Sequence, residues 1–283
     1  MSEQVTVPQA LPLKVGAPAS RGTAAQTRAS ELKSATVIPQ FYSALSAALG
    51  PQHWWPARTP FEVIVGAILT QSTAWVNVER AIANLRRERL LTPRALERVP
   101  YARLARLVKP SGYFRQKAKK LKAFVRFLRR EYGGSLARMF HTPTAELREK
   151  LLAVHGIGPE TADSVLLYAG KHPVFVVDTY TRRVLVRHGL VGEKTSYEEM
   201  RALFEDPSSS LPRDTRLYNE YHALLVQVGK NWCRPREARC SECPLGRFLP
   251  AGVMGLPAPG NPKTYRRGRR GTENAEKNGE HSR

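Results

Sequence analysis

The sequence predicts an all-α protein, and three observations carry that prediction. Apolar residues recur at helical spacing through most of the chain, with charged residues between them. No stretch alternates apolar and polar residues over the length of a strand. Gly and Pro punctuate the helical runs, most densely at His155-Gly156-Ile157-Gly158-Pro159, five residues that fit a tight hairpin between two helices. At 283 residues the chain is long enough for one large or two modest domains with a real core.

Residues 1–35 are rich in Ala, Pro, Ser, Thr and Gln without a sustained period, and read as a disordered leader. From Pro39 an amphipathic helix (Phe41, Leu45, Leu49) runs to Gly50, followed by the turn Pro51-Gln52-His53-Trp54-Trp55-Pro56. Residues 61–70 (FEVIVGAILT) are apolar on nearly all sides and too short to span a membrane, hence a buried helix. Gln71-Ser72-Thr73 punctuates it, and Ser72 or Thr73 can cap a helix over 74–88 whose core face holds Val78, Ile82 and Leu85. Short helical pieces at 93–99 and 101–108 lead to a turn at 109–113. The helix over 116–132 is two-sided. Leu121, Phe124, Val125 and Leu128 face inward, and Lys117, Lys119, Lys120, Lys122, Arg126, Arg129 and Arg130 form a basic face, a solvated surface or a phosphate contact. After the hairpin, helices are predicted at 179–188, 197–204 and 213–231, and beyond Pro250 a Pro, Gly, Arg and Lys-rich stretch reads as a basic disordered tail over 251–283.

Lys and Arg number 45 against 24 Asp and Glu, a net charge of +21. The two ends, 1–35 and 256–283, carry +2 and +4, which leaves +15 in the middle. So basic a folded region repels itself unless it meets a polyanion, which makes nucleic acid the natural partner. No apolar run reaches the length of a membrane span, and no lipidation motif occurs. The three cysteines lie together between 233 and 243, unlike a secreted disulfide framework, and no signal-peptide pattern opens the chain, so a cytoplasmic location is expected.

A helix that starts just after two glycines offers free N–H groups and the positive end of its dipole to a phosphate. That places His155, Gly156, Ile157, Gly158 and Thr161 as DNA-contacting candidates. Downstream, the apolar run Val174-Phe175-Val176-Val177 meets Asp178, followed by a helical run, so Asp178 reads as a helix N-cap. This succession of helix, hairpin, helix, apolar run and Asp resembles the helix-hairpin-helix-GPD superfamily of DNA glycosylases, the relatives of endonuclease III. The resemblance covers residues 36–248. It implies two helical lobes with DNA across the cleft between them: a six-helix barrel over 57–173, and a second lobe in which 36–56 joins 174–250. It also implies that Asp178 is the catalytic carboxylate as well as a cap. A carboxylate near C1′ stabilises the positive charge that develops on the sugar as the base leaves.

Bifunctional members of the superfamily place a lysine where this chain has Glu160, within Gly156-Ile157-Gly158-Pro159-Glu160-Thr161-Ala162. A carboxylate cannot form an imine, so the resemblance implies a monofunctional glycosylase. Glu160 is either a group of the catalytic pocket or an acidic residue suited to a first helical turn. Trp54-Trp55-Pro56, the stretch from Gly66 to Gln71, Val108 to Gly112 and Gln116-Lys117-Ala118 are similar to the 3-methyladenine glycosylase branch. There the flipped base lies between aromatic residues, matching Trp54, Trp55 and Trp75, which suits an electron-poor alkylated purine. The alternative makes the three tryptophans ordinary core residues. Gln71 matches the residue that fills the gap in the duplex. The branch also carries a modified lysine on the stretch matching Tyr221-His222-Ala223-Leu224, where a leucine stands here.

Cys233, Cys240 and Cys243 have the first three spacings of the superfamily's [4Fe–4S] loop, and the fourth position falls on Leu249. Four thiolates hold such a cluster. A lost or labile cluster is the expectation, with a Zn²⁺ site completed by another ligand as an alternative. The predicted protein is a monomeric base-excision glycosylase acting on DNA with damaged bases, an alkylated purine foremost, without contact with a membrane. Its alternatives are an endonuclease III-like enzyme for oxidised pyrimidines with residual lyase activity, and a non-catalytic hairpin DNA-binding protein.

Overall fold

The computed structural model describes residues 24–55, 57–209 and 211–251, so residues 1–23 of the predicted leader and the predicted tail from 252 onward lie outside the described residues. Every regular element among the described residues is helical. The first helix, α1 (Ala24–Leu49), contains Pro39 and starts well before it. It runs through residues 24–35, which the sequence assigned to an irregular leader. Ala24, Ala25, Ala29, Leu32 and Lys33 are strong helix formers, and their propensity outweighs the Pro, Ser and Thr content of the surrounding stretch.

One lobe gathers both ends of the described chain. Helix α1 packs against α11 (Tyr197–Glu205) and α12 (Thr215–Asn231), and α12 also packs against α10 (Thr179–Arg187). Ile38, Phe41 and Leu45 of α1 are completely buried there, and Tyr221 of α12 donates from its hydroxyl to the Ile38 carbonyl at 2.8 Å. The other lobe is built round α2 (Pro60–Leu69), in which residues 61–69 are all buried. Thr59 caps it through the Glu62 amide, and Pro60 sits in the first turn, where its missing N–H costs nothing. Helices α3 (Trp75–Arg87), α6 (Phe114–Tyr132) and α9 (Pro159–Ser164) pack round α2, with α4 (Pro93–Arg98) and α5 (Tyr101–Leu107) on the outer side of α6. Helices α7 (Leu136–Phe140) and α8 (Thr144–Leu152) lead into the hairpin.

Three details depart from the predicted elements. The residue capping α3 is Ala74, with no side-chain cap, because the Thr73 hydroxyl is turned instead to Ser111 O and the Lys117 ammonium. Part of the basic face of α6 points into the protein. Lys117 is 2 % exposed and donates to Leu69 O at 2.8 Å, Thr73 Oγ1 at 2.6 Å and Ser111 O at 2.5 Å. Lys122 donates to Leu96 O, Glu97 O and Val99 O. Each ammonium thus satisfies carbonyls at the C-terminal end of a neighbouring helix, α2 or α4, where such groups lack intrahelical partners. Finally, α9 passes into a π turn over Val165–Ala169, closed by Gly170 N to Val165 O at 3.0 Å.

The apolar run before Asp178 belongs to no helix or strand. Its backbone is held from the side by α11: Phe175 N donates to Glu205 Oε1 at 2.7 Å and Val177 N to the Tyr197 hydroxyl at 3.4 Å. Phe175 also stacks on Phe204 at 3.7 Å between ring centroids. This segment carries the chain from the lobe round α2 to the cap of α10, and so fixes where Asp178 stands.

Candidate active site

The hairpin is tied down from beneath. Gly156 has φ +81°, and a Cβ there would come within 2.4 Å of the Lys120 stem, so both the turn and the packing call for glycine. Ile157 is buried, anchoring the tip, whereas His155 is exposed and Gly158 has open space around its Cα. Gly158 opens α9 without a side-chain cap, which leaves backbone at the tip for an anion. The Thr161 side chain turns inward. Its hydroxyl accepts from Gln71 Nε2 at 2.9 Å, and the same amide donates to Gly156 O at 3.1 Å. Gln71 Oε1 accepts from Lys120 Nζ. The residue expected to fill a gap in DNA is therefore fastened by both ends of its amide to the hairpin and α6.

Asp178 caps α10, accepting from Thr181 N at 2.8 Å through Oδ1. Its other oxygen stands 3.6 Å from His222 Nε2, an ion-pair distance longer than a hydrogen bond. His222 Nδ1 in turn lies 2.5 Å from the Tyr168 hydroxyl of the π turn. Burial opposes charge on Asp178, but His222 and the Thr181 amide outweigh it and hold the carboxyl below its ordinary range. Glu160 faces the same carboxylate from α9. Desolvation, then the charge of Asp178, push its carboxyl up to about 7. The residue is nonetheless exposed to solvent, which limits the first of these effects. Two carboxyl groups with opposed shifts thus share one site, the pattern that separates a proton-bearing group from an ionised one.

The three tryptophans come together beside this site. The Trp55 ring centroid is 5.9 Å from that of Trp54, 5.1 Å from that of Trp75 and 5.0 Å from that of Tyr168. Trp55 also lies over Gly66 of α2, where a Cβ would come within 3.2 Å of its ring. Trp75 Nε1 donates to Glu79 Oε1 at 2.9 Å. All three tryptophans are half-buried and meet mainly edge to face, so they fill one another's space. A base stacked between two of them requires a ring to swing aside. Leu224 is completely buried and offers the site no polar group. Of the residues around Asp178, sequence reasoning missed Tyr168, which occupies an apolar helical position, and gave His222 no role.

Cys233, Cys240 and Cys243 line one small cavity with Arg187, His188, Trp232, Gly246 and Leu249. Arg187 Nη1 donates to Cys233 Sγ at 3.0 Å, and burial pushes the Cys233 and Cys243 thiols up, the latter to about 11. His188 turns both ring nitrogens to carbonyls, Val184 O and Leu245 O. Among the described residues no group of three or more His, Cys, Asp or Glu side chains is arranged to hold a metal ion. Three thiols with a leucine at the fourth position do not fit a four-thiolate cluster. No helix among the described residues is long and apolar enough to cross a membrane.

Comparison with known proteins agrees with this architecture. The chain is 45 % identical over 214 residues to the putative DNA repair glycosylase MJ1434 of Methanocaldococcus jannaschii, covering 75 % of this chain and 95 % of that one. It is 33 % identical over 184 residues to endonuclease III of Thermotoga maritima, covering 65 % and 79 %. Among solved structures it is similar to the H. pylori 3-methyladenine DNA glycosylase MagIII bound to 1,N6-ethenoadenine, with a TM-score of 0.60 and 26 % identity over 70 % of this chain and 97 % of that one. The model of the HhH-GPD superfamily base excision DNA repair protein matches residues 65–209, and with these relatives it shows that the chain belongs to the HhH-GPD superfamily of base-excision DNA repair glycosylases.

Proposed function

We propose that the protein is a monofunctional DNA glycosylase that hydrolyses the N-glycosidic bond of an alkylated purine and leaves an abasic site. One observation carries this reading: a carboxyl group, Glu160, faces Asp178 where bifunctional members hold an amine. In the proposed reaction the C1′–N bond breaks with its electron pair leaving on the base, Asp178 stays ionised and stabilises the positive charge on the sugar, and water adds to C1′ and gives up its proton to solvent. Glu160, with its raised carboxyl, can give a proton to a departing base that carries no charge of its own. A cationic base such as 3-methyladenine needs no such proton. The half-buried tryptophan cluster and the likeness to a 3-methyladenine glycosylase support an alkylated purine as substrate.

The likeness to an endonuclease III at 33 % identity favours a second reading, excision of oxidised pyrimidines. The purified protein should be incubated with duplexes that each carry one lesion: 3-methyladenine, 1,N6-ethenoadenine, hypoxanthine or thymine glycol. Abasic sites should then be read with and without alkali. The expected outcome is release of alkylated purines, strand breaks only after alkali, and no covalent adduct trapped by borohydride. Efficient trapping would refute the monofunctional assignment, and excision of thymine glycol alone would select the second reading.

A further inference from the structure

Asp178 has a second neighbour, behind Glu160. His222 on α12 is 5 % exposed, and apart from the carboxylate at 3.6 Å its Nε2 meets no hydrogen-bonding partner. Its Nδ1 is engaged by Tyr168, a residue 3 % exposed whose ring packs against Trp55. The Asp178 carboxylate facing Nε2 favours the tautomer with its proton there, which leaves Nδ1 to accept from the Tyr168 hydroxyl. An imidazole that accepts at Nδ1 carries its proton at Nε2, and that N–H is directed at Asp178 Oδ2. An unpaired buried N–H is costly, so the ring gains most when the facing carboxylate is charged and draws closer.

We propose that Tyr168 and His222 form a positioning pair for Asp178: the tyrosine fixes the tautomer and tilt of the imidazole, and the imidazole Nε2–H orients the carboxylate and keeps it ionised where it caps α10. This rests on the reading of Asp178 as the group that stabilises the sugar cation, and it adds two residues that act through that group. The ionisable groups facing the pair are Asp178 at the start of α10, Glu160 on α9 and Tyr168 itself in the π turn. The neighbouring Phe175 and Trp55 rings add bulk without charge. Removing His222 leaves Asp178 with the cost of burial and only the Thr181 amide to offset it, so its carboxyl should titrate at higher pH.

The full chain should be made as His222→Leu, His222→Gln and Tyr168→Phe, and assayed for single-turnover excision across pH on the duplex that the wild type prefers. His222→Leu should lose about a hundredfold in rate with DNA affinity within about threefold, and its acid limb should move up by about one pH unit. His222→Gln, which restores a neutral N–H near the Nε2 position, should recover about tenfold, and Tyr168→Phe should show a smaller shift of the limb in the same direction. A folded His222→Leu whose rate falls with an unmoved acid limb would overturn the pair, as would a His222→Gln no better than the leucine variant. If neither His222 variant folds, an unmoved limb in a folded Tyr168→Phe overturns it. If the wild type releases no base from any duplex, the glycosylase reading falls instead. The pair then stands or falls on carbon-13 titration of Asp178 in the wild type against Tyr168→Phe: an upward shift supports it and an unchanged titration rejects it.

Discussion

Asp178 joins structure to the proposed chemistry because the same carboxylate that caps α10 also faces His222 and Glu160. Asparagine caps helices about as well as aspartate but carries no charge. Asp178→Asn should therefore melt within about 1 kcal/mol of the wild type, bind DNA within about tenfold, and lose on the order of a thousandfold in excision. Thermal melts, fluorescence anisotropy and single-turnover assays check the three parts, and activity retained within tenfold would move the catalytic role elsewhere. Asp178 was legible in the sequence because an N-cap after an apolar run is a local pattern. The Tyr168–His222 contact was not, since it joins positions 54 residues apart that each sit within an apolar helical run. Gln71 was legible by its place in the superfamily pattern, but nothing in the sequence showed that Gly156, Thr161 and Lys120 hold it in the free protein.

At the level of elements, helical periodicity located α3, α6 and the hairpin helices, and an unbroken apolar run located α2, since each of these patterns is continuous in sequence. It located the lysines of α6 less well. A lysine on the wet side of a helix and one that reaches round to a neighbour's carbonyls have the same spacing, and only packing tells them apart. Lys117 is the decisive case, with its amine pushed down to about 8 by burial and then by Lys120, yet met by three oxygens. Lys117→Met keeps the bulk, strands the Leu69 carbonyl and leaves Ser111 O with only the Thr73 hydroxyl. It should cost about 3 kcal/mol, a fall in Tm on the order of 10 °C, measured by calorimetry. An unchanged Tm would mean that water replaces the ammonium without loss. The early start of α1 was missed for the opposite reason: strong helix formers lay within a composition that, averaged over a window, resembled a linker.

For the whole molecule, the charge of +21 is a statement about encounter with DNA more than about fold. Several basic groups are taken up internally, Lys117 and Lys122 by carbonyls and Arg148 by Asp163 and Glu198, so the count overstates what faces a duplex. Enough remains that affinity for undamaged duplex should fall about a thousandfold between about 50 and about 200 mM salt, the response of about six phosphate contacts. Anisotropy titrations across that range check it, and a nearly flat response would remove the electrostatic account of binding.

The seating of α1 on α12 also governs the order in which the molecule is made. The bond from Tyr221 to Ile38 spans 183 positions, so the lobe that carries the cap of α10 cannot close until nearly all of the described chain has left the ribosome. Until then the apolar face of Ile38, Phe41 and Leu45 has no cover, while the lobe round α2 draws on a continuous stretch and can assemble on its own schedule. The surroundings of Asp178, which include His222 of α12, are thus completed only once α12 has been made, and a nascent chain cannot display them before this lobe can close.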